Sequence, residues 1–148
     1  MDGNGQLELG EAIFGLRRIA QGEVYVDGEK IARNTPDVMI AKGMAHIPDD
    51  RHKKGLVMDF STMDNLILGF QRSPKYSRSI FCKRTAIAEN AAKLKESYDI
   101  RCHDITLPVR GLSGGNQQKV ILARVLDSDP KVIIAIQPTR GLDVGAAE

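Results

Sequence analysis

Leu112-Ser113-Gly114-Gly115-Asn116-Gln117-Gln118-Lys119, running on into Val120-Ile121-Leu122-Ala123-Arg124-Val125-Leu126, is the most specific stretch of the chain. Its apolar positions Val120, Ile121, Ala123 and Val125, mixed with Gln and Lys, predict a helix from Ser113 to about Leu126. A Ser followed by two glycines at a helix start lets a hydroxyl and backbone N–H groups approach an anion closely, and the helix dipole favours negative charge there. The string points to a phosphate. The plainer alternative is an ordinary capped helix after a glycine turn.

Working outward, Lys131-Val132-Ile133-Ile134-Ala135-Ile136 is a continuous β-branched run, as expected of a strand buried on both faces of a parallel sheet. Upstream, Gly43-Met44-Ala45-His46-Ile47-Pro48 reads as a second short strand, ended by proline. It delivers Asp49-Asp50-Arg51 to its carboxyl end, where ligands bind in open α/β sheets. Residues Gly22 to Ile31 alternate polar and apolar around Asp27-Gly28, a strong hairpin signal. Thr35-Pro36 opens a short helix, and Leu7 to Ile19 predicts another after a Gly-rich turn. Between Thr62 and Tyr98 helical periodicity comes in two blocks, separated by the basic, Pro-containing stretch Arg72 to Arg78. The whole is α/β with a helical insertion.

The bulk composition narrows the partners. With 148 residues, 42% apolar and 27% charged, the chain has the make-up of one ordinary globular domain. A net charge of +2 gives no electrostatic case for nucleic acid or an anionic membrane. Cys82 and Cys102 lack CxxC spacing or a His cluster, which fits two plain thiols in a reducing compartment. His46, His52 and His103 show no ligand spacing and read as surface or satisfied histidines. No apolar run approaches the roughly 18 residues of a membrane span, and Asp2 to Glu11 is too acidic for a signal peptide. Any membrane role is expected to go through a partner.

Four segments in order carry a family resemblance. Leu112 to Lys119 resembles the signature motif of ABC-transporter ATPases, and Gln137-Pro138-Thr139-Arg140-Gly141-Leu142-Asp143-Val144-Gly145-Ala146 resembles the end of their Walker B strand with the D-loop after it. Asp2-Gly3-Asn4-Gly5-Gln6-Leu7-Glu8 falls where their phosphate-binding loop lies, and Ile47-Pro48-Asp49-Asp50-Arg51 resembles their Q-loop region. The wording Asn-Gln-Gln-Lys and Thr-Arg-Gly-Leu-Asp-Val-Gly is similar to the sugar and nucleoside importer branch, in which two ATPase domains are fused. The resemblance implies a partial P-loop NTPase (RecA-like) core at about 1–60 and 128–148, with a helical subdomain carrying the signature helix at about 61–127.

It also implies ATP and Mg²⁺ as cofactors. The expected partners are the first ATPase domain of the same subunit, membrane-spanning permease subunits and, indirectly, a substrate-binding protein. The expected location is the cytoplasmic face of a bacterial plasma membrane. The cofactor-binding positions implied are Gly3, Asn4, Gly5, Gln6, Leu7, Glu8, Asp49, Asn116, Gln117 and Asp143, and the catalytic ones Ser113, Gly114, Gly115 and Gln137.

The departures from the family pattern are chemical. A working phosphate loop needs Lys to reach the β and γ phosphates and Ser or Thr to hold Mg²⁺; here Gln6, Leu7 and Glu8 occupy those positions. Ile136 stands in place of the Mg-binding Asp and Gln137 in place of the catalytic Glu, and Gln cannot act as a general base. Asp49 stands where the first domain carries Gln. The chain's own site therefore reads as degenerate and its signature as intact. In a head-to-tail pair of domains, that signature would clamp the γ-phosphate bound to the partner, with Asp143 ordering the interface.

Two other readings compete. Residues 2–11 also match an EF-hand calcium loop from its third position, with Gly5 at the sharp turn, Leu7 apolar and Glu11 as the bidentate ligand. A nucleotide-binding or scaffold module without catalysis is the other. The chain begins within the expected phosphate loop and stops before the H-loop histidine, so it is expected to be a fragment of a domain, with poor stability in isolation.

Overall fold

In the computed structural model, which describes residues 4–139, the described chain divides into two compact units, residues 4–49 with Asp129–Pro138, and Asp50–Ser128 with Thr139.

The first unit is α/β. Helix α1 (Gln6–Ile13) is followed by the hairpin β1 (Tyr25–Val26) and β2 (Glu29–Lys30), helix α2 (Pro36–Ala41) and strand β3 (Met44–Ile47). The hairpin turns where expected because Asp27 and Gly28 both take positive φ, 53° and 78°, as a primed two-residue turn demands. Extended Thr35 feeds α2, with Pro36 in its first turn. Strand β6 (Val132–Ala135) returns to this unit and pairs with β3 in parallel, Met44 against Val132 through Ile47 against Ala135. Phe14, Val26, Ile31, Met39 and Met44 form the core, and the Phe14 ring stacks on His46 with centroids 5.1 Å apart. Lys131 Nζ donates to Asp27 Oδ2 at 2.8 Å and so ties the hairpin turn to the start of β6.

Two expectations fail here. Helix α1 stops at Ile13 rather than running to Ile19, because Gly15 adopts φ 80° and turns the chain away. Strand β6 is not buried on both faces: Val132 is 45% and Ile133 38% exposed. Among the described residues β3 is its only partner, so its other edge has no neighbour.

The second unit is mainly helical. A π-type turn (Arg51–Gly55) precedes α3 (Thr62–Asn65), the hairpin β4 (Ser77–Arg78) and β5 (Phe81–Cys82), α4 (Arg84–Ser97), a 3₁₀ turn (Val109–Gly111) and α5 (Gly114–Asp127). Helices α3, α4 and α5 pack on one another, burying Met63, Ile87, Leu94, Val120 and Ile121. The first expected helical block shrinks to the single turn of α3. Ser61 caps it, accepting from Asp64 N at 3.0 Å, while the Asn65 side chain folds back onto the backbone of residues 57, 60 and 61. The basic stretch after it leads into a hairpin that periodicity did not announce. Residues 50–60 group with the helices because buried Arg124 of α5 donates to the carbonyls of Gly55 (2.9 Å) and Asn65 (3.2 Å).

Candidate functional site

In the first unit the candidate phosphate-loop residues sit at the start of α1. Gly5 is its N-cap in the left-handed region at φ 78°, with no side-chain cap, and Gln6, Leu7 and Glu8 form the first turn. The loop-to-helix bend exists, and the amides of this turn have no intrahelical acceptor. Asn4, Gln6 and Glu8 are exposed and Leu7 is partly buried. Gly3 and Asp143 lie outside the described residues.

The most informative contact of this unit joins α1 to the segment after β6. A β-carbon on Gly10 would meet the Ile136 δ-methyl at 2.7 Å and the Ile134 γ-methyl at 3.5 Å. Gly10 thus lets the Ile136 side chain lie directly on α1, and the side chain that occupies the expected Mg-binding position is a hydrocarbon resting on the helix of the candidate phosphate loop. Gln137 follows at φ 48°, exposed. Asp49 sits two residues after β3, partly buried.

The same unit bears on the calcium reading. The Glu11 carboxylate accepts from Arg17 Nη2 at 2.7 Å and Nε at 3.1 Å, and the backbone from Gln6 onward is already helical. The group meant to embrace the cation is held by a guanidinium, and the loop that should wrap it is a helix.

In the second unit Ser113 is the N-cap of the 14-residue helix α5, with Gly114 and Gly115 in its first turn. Ser113 is exposed and Oγ accepts from the Asn116 backbone N–H at 3.4 Å. Asn116 Nδ2 also donates to Ser113 Oγ, at 2.9 Å, while Asn116 Oδ1 accepts from the Arg101 backbone N–H at 2.7 Å. Neither glycine carries a side chain over its amide, so the helix start presents a hydroxyl and bare N–H groups.

Gln117 faces the other way. It is buried, 4% exposed, and its Nε2 donates to the carbonyls of Leu112 (3.1 Å) and Val109 (3.4 Å). Its Oε1 lies 2.8 Å from His52 Nε2. Because both Gln117 protons go to carbonyls, Oε1 is the acceptor and His52 Nε2 the donor. Expected at the nucleotide, Gln117 instead pins the signature helix to the turn after β3. That turn is capped by Asp50, which accepts from His52 N at 3.0 Å and Lys53 N at 3.1 Å; these amides, Lys53 first, hold the Asp50 carboxyl below its ordinary range. Among the described residues no carboxylate pairs with Arg124, and burial lowers its guanidinium to about 10, so it stays charged at neutral pH. The partners His52 and Arg124 have no sequence signal of their own, since the pairs span 65 and 69 positions.

The arrangement is that of an ATP-binding cassette of the P-loop class. Two solved structures carry the likeness: a nucleotide-free ATP-binding cassette from an ABC transporter, TM-score 0.75 over 99% of this chain and 59% of that one, and a dimeric post-hydrolysis cassette bound to ADP and Pi, TM-score 0.69 over 96% and 60%, each 23% identical. The ABC transporter family model matches residues 2–140, and the chain belongs to that family. It is 45% identical over its full length to the guanosine import ATP-binding protein NupO of Bacillus subtilis. It is also 41% identical over 146 residues, 97% of this chain, to the xylose import ATP-binding protein XylG of Thermoanaerobacter pseudethanolicus. The ribose import ATP-binding protein RbsA of Halalkalibacterium halodurans is 40% identical over 145 residues, again 97% of this chain. The chain spans 29%, 28% and 28% of those three proteins, respectively. Among the described residues no helix is long and apolar enough to cross a membrane.

Proposed function

We propose that this chain belongs to the second ATPase domain of an ATP-binding subunit that energises import of a sugar or nucleoside, and that it serves the ATP held by the first domain rather than one of its own. The observation that carries the reading is the exposed Ser113 hydroxyl at the start of α5, beside Gly114 and Gly115. In a head-to-tail pair these groups and the helix dipole stabilise a terminal phosphate held by the partner domain. Asp143 is assigned to ordering that interface on the family resemblance alone.

The chain's own site suits neither Mg²⁺ nor hydrolysis. Leu7 offers no oxygen, Gln6 no charge and Glu8 an anion beside the phosphates, while Ile136 packs its hydrocarbon onto Gly10. A Mg²⁺ ion would neutralise phosphate charge in this chemistry, and Ile136 offers no oxygen to hold it. Gln137 cannot take a proton from water. We read the first unit, together with the residues out to about 60, as nucleotide-binding core, and the helices as the signature-bearing subdomain.

The names of the relatives, which import guanosine, ribose and xylose, support the solute class. On this reading the partners are the first ATPase domain and permease subunits at the cytoplasmic membrane face, with a substrate-binding protein further out. The competing scaffold reading is separated by one experiment. ATP turnover by the intact first domain is measured with and without the full-length second domain, as wild type and as Ser113→Arg. Stimulation lost in the variant is the expected outcome; equal stimulation by both would leave a nucleotide-independent scaffold.

A further inference from the structure

The polarity of the signature serine is dictated from a distance. The Arg101 backbone N–H can only donate, so the Asn116 atom 2.7 Å from it must be the carbonyl oxygen. The other arm of that amide is then NH₂, which can only donate, and it sits 2.9 Å from Ser113 Oγ. Ser113 Oγ accepts this bond and also the one from the Asn116 backbone N–H at 3.4 Å. A hydroxyl oxygen has two lone pairs and one proton. With both lone pairs engaged, the only capacity left on this exposed group is the O–H, directed away from Asn116.

We propose that Asn116 is a positioning residue which, anchored by the Arg101 amide, compels the Ser113 hydroxyl to act solely as a hydrogen-bond donor. The site at the start of α5 is thereby made of donors only, the Ser113 O–H and the Gly114 and Gly115 amides. It takes a fully ionised phosphate oxygen and is unsuited to a cation or to a ligand hydroxyl that must donate. This rests on the reading that Ser113 faces a terminal phosphate bound by the partner domain, and it reassigns Asn116 from touching the nucleotide to orienting the group that does.

The test exploits Asn116→Asp, nearly isosteric. A carboxylate still accepts from the Arg101 amide, and an acidic residue in the first turn suits the helix dipole, so the fold is retained. It cannot donate to Ser113, so the hydroxyl turns inward and donates to it. In the full-length protein with both ATPase domains, kcat and KM for ATP are measured for wild type, Ser113→Ala, Asn116→Asp and the double variant. Loss of one preorganised donor costs on the order of a hundredfold in turnover. The expected result is such a loss in Asn116→Asp that disappears when Ser113 is already Ala. An equal further loss in the Ser113→Ala background would mean that the added charge or a distorted helix acts directly, and would overturn the relay. So would full activity of Asn116→Asp alongside an impaired Ser113→Ala. Full activity of Ser113→Ala would bring down the proposed function itself, and the relay with it. If Asn116→Asp does not fold, Asn116→Ala replaces it: a smaller loss, again only in the presence of Ser113, is expected, and a loss independent of Ser113 overturns the relay.

Discussion

His52 Nε2 donates to Gln117 Oε1 across 2.8 Å, joining the turn after β3 to the signature helix. The bond is held at both ends. Gln117 is buried with its amide protons on two carbonyls, and the backbone of His52 is capped by Asp50. Replacing His52 with Phe is expected to cost about 1 kcal/mol by leaving a buried acceptor unpaired. Amide hydrogen exchange across residues 51–55 should rise while α4 keeps its protection. Unchanged exchange in the turn would mean that Asp50 alone holds it.

Arg124 is the larger structural commitment. Its guanidinium is buried and donates to the carbonyls of Gly55 and Asn65. Arg124→Leu removes both donors; the Asn65 carbonyl keeps the Leu68 N–H at 3.3 Å, but the Gly55 carbonyl loses its guanidinium partner, a loss of about 2 kcal/mol. Arg124→Lys, with one compact ammonium, should recover part of it. Chemical denaturation of the whole protein measures both; a neutral Arg124→Leu would show that water takes over the carbonyls.

Gly10→Ala gains helix propensity of about 1 kcal/mol but forces the Ile136 side chain to turn off its rotamer at a similar cost, so the net change should stay within about 1 kcal/mol. Ile136→Ala makes room, so the pair should be strongly non-additive. Additive costs in a double-mutant cycle would indicate that the segment after β6 simply moves aside.

Asp50 supplies a pH dependence with a fixed sign. Its carboxyl titrates below the ordinary 3.8 because the amides of Lys53 and His52 bind the ionised form. The capping contribution is therefore complete above 3.8 and is lost as pH falls through the lowered value. The amide proton signals of His52 and Lys53 should titrate together below that pH and stop titrating in Asp50→Asn. A midpoint at or above 3.8 would contradict the cap.

What could be read from the chain was what local chemistry encodes. Asp27-Gly28 specifies its own turn because both residues tolerate positive φ, and the β-branched run of β6 announces a strand wherever it packs. Ser113-Gly114-Gly115 declares a helix start open to anions. The hairpin β4–β5 was illegible because its turn is Ser79-Ile80: Ser79 takes φ 58° with no Gly or Asn to signal it, and Ile80 stands 85% exposed. The inward role of Gln117 and the reach of Arg124 depend on residues 59 to 69 positions away, which no window of sequence contains. Exposure of β6 was misjudged for a related reason, since burial is a property of neighbours and not of the strand.

The relay at the signature begins on a main-chain N–H, and that has a genetic consequence. The Arg101 side chain is exposed and takes no part in the bond to Asn116. Position 101 can therefore drift through almost any residue without disturbing the serine, and only proline, which lacks the proton, would erase the anchor in one step. Random mutagenesis scored on transport should find position 101 permissive except to proline and position 116 intolerant. Two sites in direct contact would then differ sharply in the variation they accept.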